Sequence, residues 1–377
     1  KGAEDIPWQL IPIWQNKLPN EFQETNFDFY KNPVQIALRF GKSNINDYKS
    51  AIENITKRPQ FLLFLRNTSR FNSPKNPALV IREDENDLVK ITLLKGPIEE
   101  KYFYKKIVFD DIKVSDEAFA SNNIALLKSS QVNDYNEITY FFTDLEGNKI
   151  TSIPPKIASV SESEVSFGFF VQNNKLTSEP GYAQDSSQYS SLFTYLPMED
   201  KRFKLPFLVN GDFVPDSRRE EIQGDNLWNN YIITKIAQKH VEILRIFALE
   251  FEANPNFYSN YLSLLLKNPL PEDDTAQQII ESYNTKYLEQ LEKTEIVIND
   301  NDQIQLLSDT IIDDSGLIEL FGNEIFYEII DTEKRLPNSK LEVKYLKDYQ
   351  YLNEYVEIIS LEELAAKISP EICESLG

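Results

Sequence analysis

The residues best placed for chemistry are two adjacent arginines, in Pro215-Asp216-Ser217-Arg218-Arg219-Glu220-Glu221-Ile222. Upstream, Leu205-Pro206-Phe207-Leu208-Val209-Asn210-Gly211-Asp212-Phe213-Val214 reads as a strand. Downstream, Leu227, Tyr231, Ile232, Ala237, Val241, Leu244 and Phe247 recur at three- and four-residue spacings, which predicts a helix from near Asn226 to Glu250. The pair thus sits between two packed elements, and such a loop can aim a charged side chain. A guanidinium is planar, permanently charged and able to donate two parallel hydrogen bonds. The same arginines can equally pair with Asp216, Glu220 or Glu221 on a wet loop. The residues alone leave both readings open.

Other candidates narrow the chemistry. A single cysteine, Cys373, and a single histidine, His240, exclude an internal disulfide, a Cys/His zinc site and any metal site needing two histidines. A Ser-His-Asp triad would have to use His240, which lies between Ala237 and Val241 on an apolar-flanked helix face and reads as a packed residue. With 60 acidic residues, carboxylate pairs are too plentiful for any one to be singled out as an acid/base couple without geometry. Asn299-Asp300-Asn301-Asp302 and Asp313-Asp314 lack the later glycine and closing glutamate of a calcium loop. Trp8, Trp14 and Trp228 read as core or interface anchors. Asn210 and Asp212 either orient the arginine loop or serve as satisfied structural groups.

Composition sets the frame. Lys plus Arg is 39 and Asp plus Glu is 60, giving 39 − 60 = −21, in a chain that is 41% apolar and 12% aromatic. Such a surface repels phosphate backbones and anionic lipid, and no basic run offsets it, so neither nucleic acid nor a membrane is expected as a partner. Glycine is scarce, 11 residues, against a usual share of about 7%. Glycine loops that cradle nucleotides are hard to build from that supply. No stretch approaches the roughly 20 apolar residues of a membrane span, and the first residues lack a signal peptide's apolar core, so a cytoplasmic location is expected. The chain starts without methionine, its only one being Met198, and is expected to be a processed protein or a piece of a longer one.

The elements suggest an α+β, multi-domain chain. Residues 1–75 hold an edge-strand pattern at Val34–Phe40, a helix at Asn46–Thr56 and the apolar run Phe61–Leu65. Residues 76–190 are mostly β, with strands at Ala78–Ile81, Leu88–Leu94, Tyr102–Phe109, Ile138–Phe142 and Val165–Val171, then an exposed loop from Asn173 to Ser191. Residues 191–270 carry a strand at Ser191–Pro197, the strand before the arginine loop, the long helix and a further helix at Tyr258–Lys267. Residues 271–377 mix helices at Asp274–Lys293 and Ser360–Ile368 with short strands.

The stretches Leu192–Pro197, Leu205–Phe213, Ser217-Arg218-Arg219-Glu220 and Trp228-Asn229 together resemble the segment that follows the ATPase domain in sacsin-like members of the GHKL family. That family includes DNA gyrase, ninety-kilodalton heat-shock chaperones, histidine kinases and MutL. Phe61-Leu62-Leu63-Phe64-Leu65-Arg66-Asn67 resembles the element ending the ATPase domain, and Val34–Phe40 its preceding edge strand. The resemblance, over about residues 33 to 250, implies a transducer (middle) domain whose Arg218, or Arg219 one register along, reaches the terminal phosphate of ATP held in the neighbouring domain. The family's Glu-x-x-x-Asn, Asp-x-Gly-x-Gly and glycine-rich lid motifs have no copy here; Glu53 and Asn54 are adjacent rather than spaced. By the resemblance those motifs belong before Lys1. This chain alone is then expected neither to bind nor to hydrolyse ATP, and ATP and magnesium would belong to a fuller protein acting on a chaperone-like client or protein partner, with homodimerisation possible there. The alternative is a non-enzymatic interaction scaffold of the same ancestry.

Overall fold

The computed structural model describes residues 57–65, 68–73, 78–85, 87–187, 189–218 and 220–367. Two compact units divide the chain, Lys1–Asn54 and Ile55–Gly377, and every described residue belongs to the second. Val34–Phe40, Asn46–Thr56, Trp8, Trp14 and Cys373 lie outside the described residues.

The described unit is mixed α+β. It begins with a 3-10 turn at Pro59–Leu62 and continues through strands β1 (Arg70–Ser73), β2 (Ala78–Glu85), β3 (Leu88–Lys95) and β4 (Ile98–Lys113). Helix α1 (Asp116–Ala120), strands β5 (Leu127–Val132), β6 (Ile138–Thr143) and β7 (Lys149–Ile150), and helix α2 (Pro155–Ala158) come next. Then follow β8 (Glu162–Gln172), β9 (Lys175–Leu176), α3 (Pro180–Ala183), β10 (Leu192–Thr194), β11 (Leu196–Pro197) and β12 (Leu208–Gly211). Helices α4 (Leu227–Glu250), α5 (Pro255–Tyr258) and α6 (Gln277–Lys293) lead to β13 (Val297–Ile298), β14 (Ile304–Gln305) and β15 (Ile311–Asp313). The last elements are α7 (Leu317–Phe321), α8 (Asn323–Ile330), α9 (Lys344–Asp348), β16 (Glu357–Ile359) and α10 (Leu361–Lys367).

Nine strands form one sheet in the order β1-β2-β3-β4-β8-β12-β10-β11, with β9 hooked onto β8. Pairing is antiparallel except between β10 and β12. Strand β8 is the spine, buried from Val165 to Val171, because both of its faces are covered. Val165, Phe167, Phe169 and Val171 join a core built with α4 and α6, where Phe169 meets Phe247 edge to face at 5.1 Å. On the other face Phe170 packs with Phe61, Leu62, Leu63 and Phe64. Gly168 lets this happen, since a Cβ there would collide with the Leu63 side chain. Burying each of those four large side chains is worth at most about 1.5–3 kcal/mol, enough to hold the segment firmly on the sheet. A separate small core around Ile311, Phe326, Ile330 and Ile359 gathers the C-terminal elements.

Helix α4 runs Leu227–Glu250 as its periodicity predicts, started by the Asn226 side chain, which accepts from the Asn229 amide. The strand expected at Ser191–Pro197 is instead a hairpin, β10 and β11, because Tyr195 takes a left-handed φ of 65°. The strand expected over Leu205–Val214 narrows to Leu208–Gly211, Pro206 having no amide to give a ladder. Asn173–Ser191 is not an exposed loop. Asn173 and Asn174, with φ of 51° and 58°, make the tight β8–β9 turn, and beyond it Glu179, Tyr182, Ser190 and Ser191 are buried. The helix expected at Tyr258–Lys267 is broken into α5 and a 3-10 turn, Tyr261–Leu264.

Candidate functional site

The arginine loop is a rigidly held projection. Pro215 and Ile222 bridge across its base, and the Asp216 amide donates to Glu221 O at 2.8 Å. Asp216 Oδ1 accepts from the amides of Glu220 and Glu221, closing the turn over itself. Asn229, fully buried in the first turn of α4, grips both stems: its Oδ1 accepts from the Val214 amide, and its Nδ2 donates to Val214 O and Gln223 O. Trp228 beside it donates from Nε1 to Asp212 O at 2.7 Å. Trp228 and Asn229, which carried part of the family resemblance, thus join the strand to the helix across the loop.

A second clamp comes from Asp200 and Arg202. Asp200 Oδ2 accepts from the Ile222 amide at 3.0 Å, and Arg202 Nη2 donates to Ile222 O at 2.8 Å. The two side chains are also paired to each other through Nε–Oδ1 at 2.8 Å and Nη2–Oδ2 at 2.7 Å, with Asp200 0% exposed. Burial tends to lower the Arg202 pKa, but the Asp200 carboxylate outweighs it and holds the guanidinium above its usual value. Arg202 Nη1 continues to Thr275 Oγ1, and Gly224 lies so close to the Thr275 carbonyl that a Cβ would collide with it. The loop base is therefore joined to the residues leading into α6.

At the tip, Arg218 is 78% exposed and touches Glu220 only at the ion-pair limit, 4.0 Å. An exposed pair of that kind contributes little. Arg219 lies outside the described residues. Asp216, Glu220 and Glu221, the last also paired with Arg202 at 3.6 Å, are the described carboxylates of the loop. A free anion gains little there, so a phosphate meets Arg218 productively only if another group holds it.

The other sequence candidates have structural employment. Asn210 Oδ1 accepts from the Tyr195 amide at 2.6 Å, fixing the β10–β11 turn, and Asp212 Oδ2 accepts from the Ser163 hydroxyl. Asn299 Oδ1 caps its own turn by accepting from the Asn301 and Gln303 amides. His240 is 1% exposed. Its Nε2 lies 2.7 Å from Leu264 O, which can only accept, so Nε2 carries the proton and Nδ1 accepts from the Tyr283 hydroxyl. Burial depresses its pKa to about 3, which leaves a neutral, packed ring.

Sequence reasoning missed a buried polar cluster behind the loop. Arg58 donates to Met198 O at 3.0 Å and to Ser190 O at 2.8 Å, closing a segment 132 positions away. Burial lowers the Arg58 pKa. Near it, Glu179 is 3% exposed, and burial pushes its carboxyl up to about 8 against the opposing pull of Tyr104 and Arg58. Glu179 Oε1, the Tyr104 hydroxyl and Ser190 Oγ are enclosed without a well-formed hydrogen bond among the described residues. The Glu199 amide, next along from Met198, donates to Glu220 O at 2.9 Å. Arg58 thus grips from one side the segment that grips the arginine loop from the other.

These two buried groups set opposite pH slopes. His240, neutral when folded down to about 3, is protonated in the unfolded chain below about 6.5, so stability falls with acidification across that window. Glu179 stays protonated in the fold up to about 8, whereas the unfolded chain ionises above about 4.5, so stability falls as pH rises from 4.5 to 8. Each slope is at most about 1.4 kcal/mol per pH unit. Glu179→Gln is therefore expected to raise the melting temperature over the parent at pH 8 and to leave it nearly unchanged at pH 5. Equal shifts at both values would show that Glu179 is ionised in the fold.

Among the described residues no group of three or more His, Cys, Asp or Glu side chains is placed to hold a metal ion, and no helix is long and apolar enough to cross a membrane. No family model matches the chain, and no solved structure matches it. Over 157 residues, 42% of the chain, it is 26% identical to Protein NO VEIN of Arabidopsis thaliana, and it spans 5% of that relative's length.

Proposed function

We propose that the chain is the transducer portion of a sacsin-like GHKL ATPase, presenting Arg218 to the terminal phosphate of ATP held in a module outside the described residues. One observation carries the reading: Arg218 stands 78% exposed at the tip of a loop whose stems are clamped by Asn229, Asp200 and Arg202. A loop that only decorated a surface would need no such support, and catalytic positioning depends on it. The path from Arg58 through Met198 and Glu199 to Glu220 supports coupling, because it joins the start of the described unit to the loop. Hydrolysis then waits on closure of one module onto the other. The test is ATP hydrolysis and ATP binding in a protein carrying both modules, compared between Arg218 and Arg218→Ala. A fall in turnover with binding retained supports the reading, and unchanged turnover sinks it.

A protein-interaction scaffold is the second reading, and the β5–β6 hairpin favours it. Val132 and Ile138 pair across its strands with exposures of 58% and 57%, and Tyr135 at its turn is 86% exposed. Exposed apolar side chains set among polar ones in this way suit a protein partner. Under the scaffold reading, truncating the hairpin abolishes binding of the protein partner, and full retention of binding would contradict it.

A further inference from the structure

A cleft of about 460 Å³ opens between the end of β4, α1 and the first half of α4, lined in part by Asp111, Lys113, Tyr231, Lys235, Gln238 and Lys239. Its size is that of a small-molecule site. It forms where β4 breaks register between Phe109 and Ile112, a bulge of the kind that re-aims side chains. The Tyr231 hydroxyl pins this end of the strand by donating to Lys113 O at 2.7 Å. Lys235, Gln238 and Lys239 follow at helical spacing, so they share one face of α4.

The charges within it are unevenly matched. Lys239 is paired to Glu242 at 3.0 Å and to Asp111 at 3.8 Å, and lies over the Phe109 ring. Lys113 is paired to Glu162. Lys235, half-buried, makes no ion pair with a described residue and rests over the Tyr231 ring at 5.4 Å. Burial depresses its pKa, and the nearby Lys286 and Lys239 depress it further against an opposing pull from Asp111. Gln238 is half-buried beside it, with no side-chain hydrogen bond to a described residue. In a chain of net charge −21, the cleft gathers Lys113, Lys235 and Lys239 against the lining carboxylates Asp111 and Glu117, and of these three lysines Lys235 is the one without an ion pair to a described residue. An anion entering the cleft would relieve the repulsion from Lys286 and Lys239 and supply Lys235 with the partner it lacks.

We infer that this cleft binds a small phosphate monoester, with the Lys235 ammonium and the Gln238 amide donating to phosphate oxygens and Lys239 adding charge. The dianion matches an unpaired cation beside a second one. The site shares no residue with the arginine loop, so it stands or falls separately from the proposed ATPase role.

Isothermal titration with glycerol 3-phosphate and inorganic phosphate, at constant ionic strength held with chloride, tests the assignment. Saturable binding in about the millimolar range is expected, weakened about tenfold by Lys235→Gln, the effect of losing one charge-assisted contact. Asp111→Asn should tighten binding severalfold by removing a carboxylate from the lining, a gain that damage to the fold could not mimic. Absence of saturable binding, full retention in Lys235→Gln, weakening in Asp111→Asn, or equal affinity for succinate would each overturn it.

Discussion

Replacing Arg218 by alanine in a protein that carries both this chain and an ATP-binding module is expected to lower ATP turnover by about 10³-fold or more, the range for loss of a phosphate-directed arginine. ATP affinity and the melting temperature should barely move. The side chain is 78% exposed and its one ion pair with a described residue, Glu220, is at 4.0 Å, so its removal takes little from the fold. Arg218→Lys keeps the charge but loses the planar fork, and should recover only a small part of the rate. Arg219→Ala distinguishes the neighbouring register: if it alone abolishes turnover, the role belongs to Arg219. A loss confined to KM in Arg218→Ala would mean the guanidinium holds ground-state nucleotide rather than the transition state.

Asp200→Ala carries the largest expected cost in stability. It leaves Arg202, whose side chain is 8% exposed, with the half-exposed Glu221 carboxylate at 3.6 Å in place of its buried partner, and leaves the Ile222 amide without its Asp200 acceptor. Breaking one member of a buried pair typically costs about 3–5 kcal/mol, because the remaining charge stays desolvated, and the outlying Glu221 offsets only part of that. For a domain of this size that corresponds to a fall of roughly 5–10 °C in melting temperature. Asp200→Ala combined with Arg202→Met should be milder than the single change, since no charge is then stranded. A single variant that melts within a degree of the parent would show that the clamp contributes little, and the loop's rigidity would need another source.

What could be read from the sequence was local. Helix α4 was legible because its apolar residues keep a helical period from Leu227 to Phe247, and β2, β3, β4, β6 and β8 because β-branched and aromatic runs fill them. The arginine loop was located by its flanks. Its clamps were not, since Asn229 at the start of a helix and Asp200 with Arg202 in a polar run look like ordinary surface residues until the fold surrounds them. Arg58 and Glu179 were missed for the same reason: their burial comes from pairings such as Arg58 with Ser190, 132 positions apart. The single strand read at Ser191–Pro197 failed at Tyr195, whose left-handed φ is supported by an Asn210 side chain from another strand. The lysine cleft was invisible because Lys113 and Lys235 meet only through the packing of β4 against α4.

The most direct test of the arginine assignment is trapping of ADP with aluminium fluoride, whose geometry mimics the transferring phosphoryl group, in a protein carrying both modules. A guanidinium acting on the transition state predicts a stable trapped complex in the parent and its loss in Arg218→Ala, with plain ADP binding the same in both. Equally stable trapping in the two proteins would contradict the account.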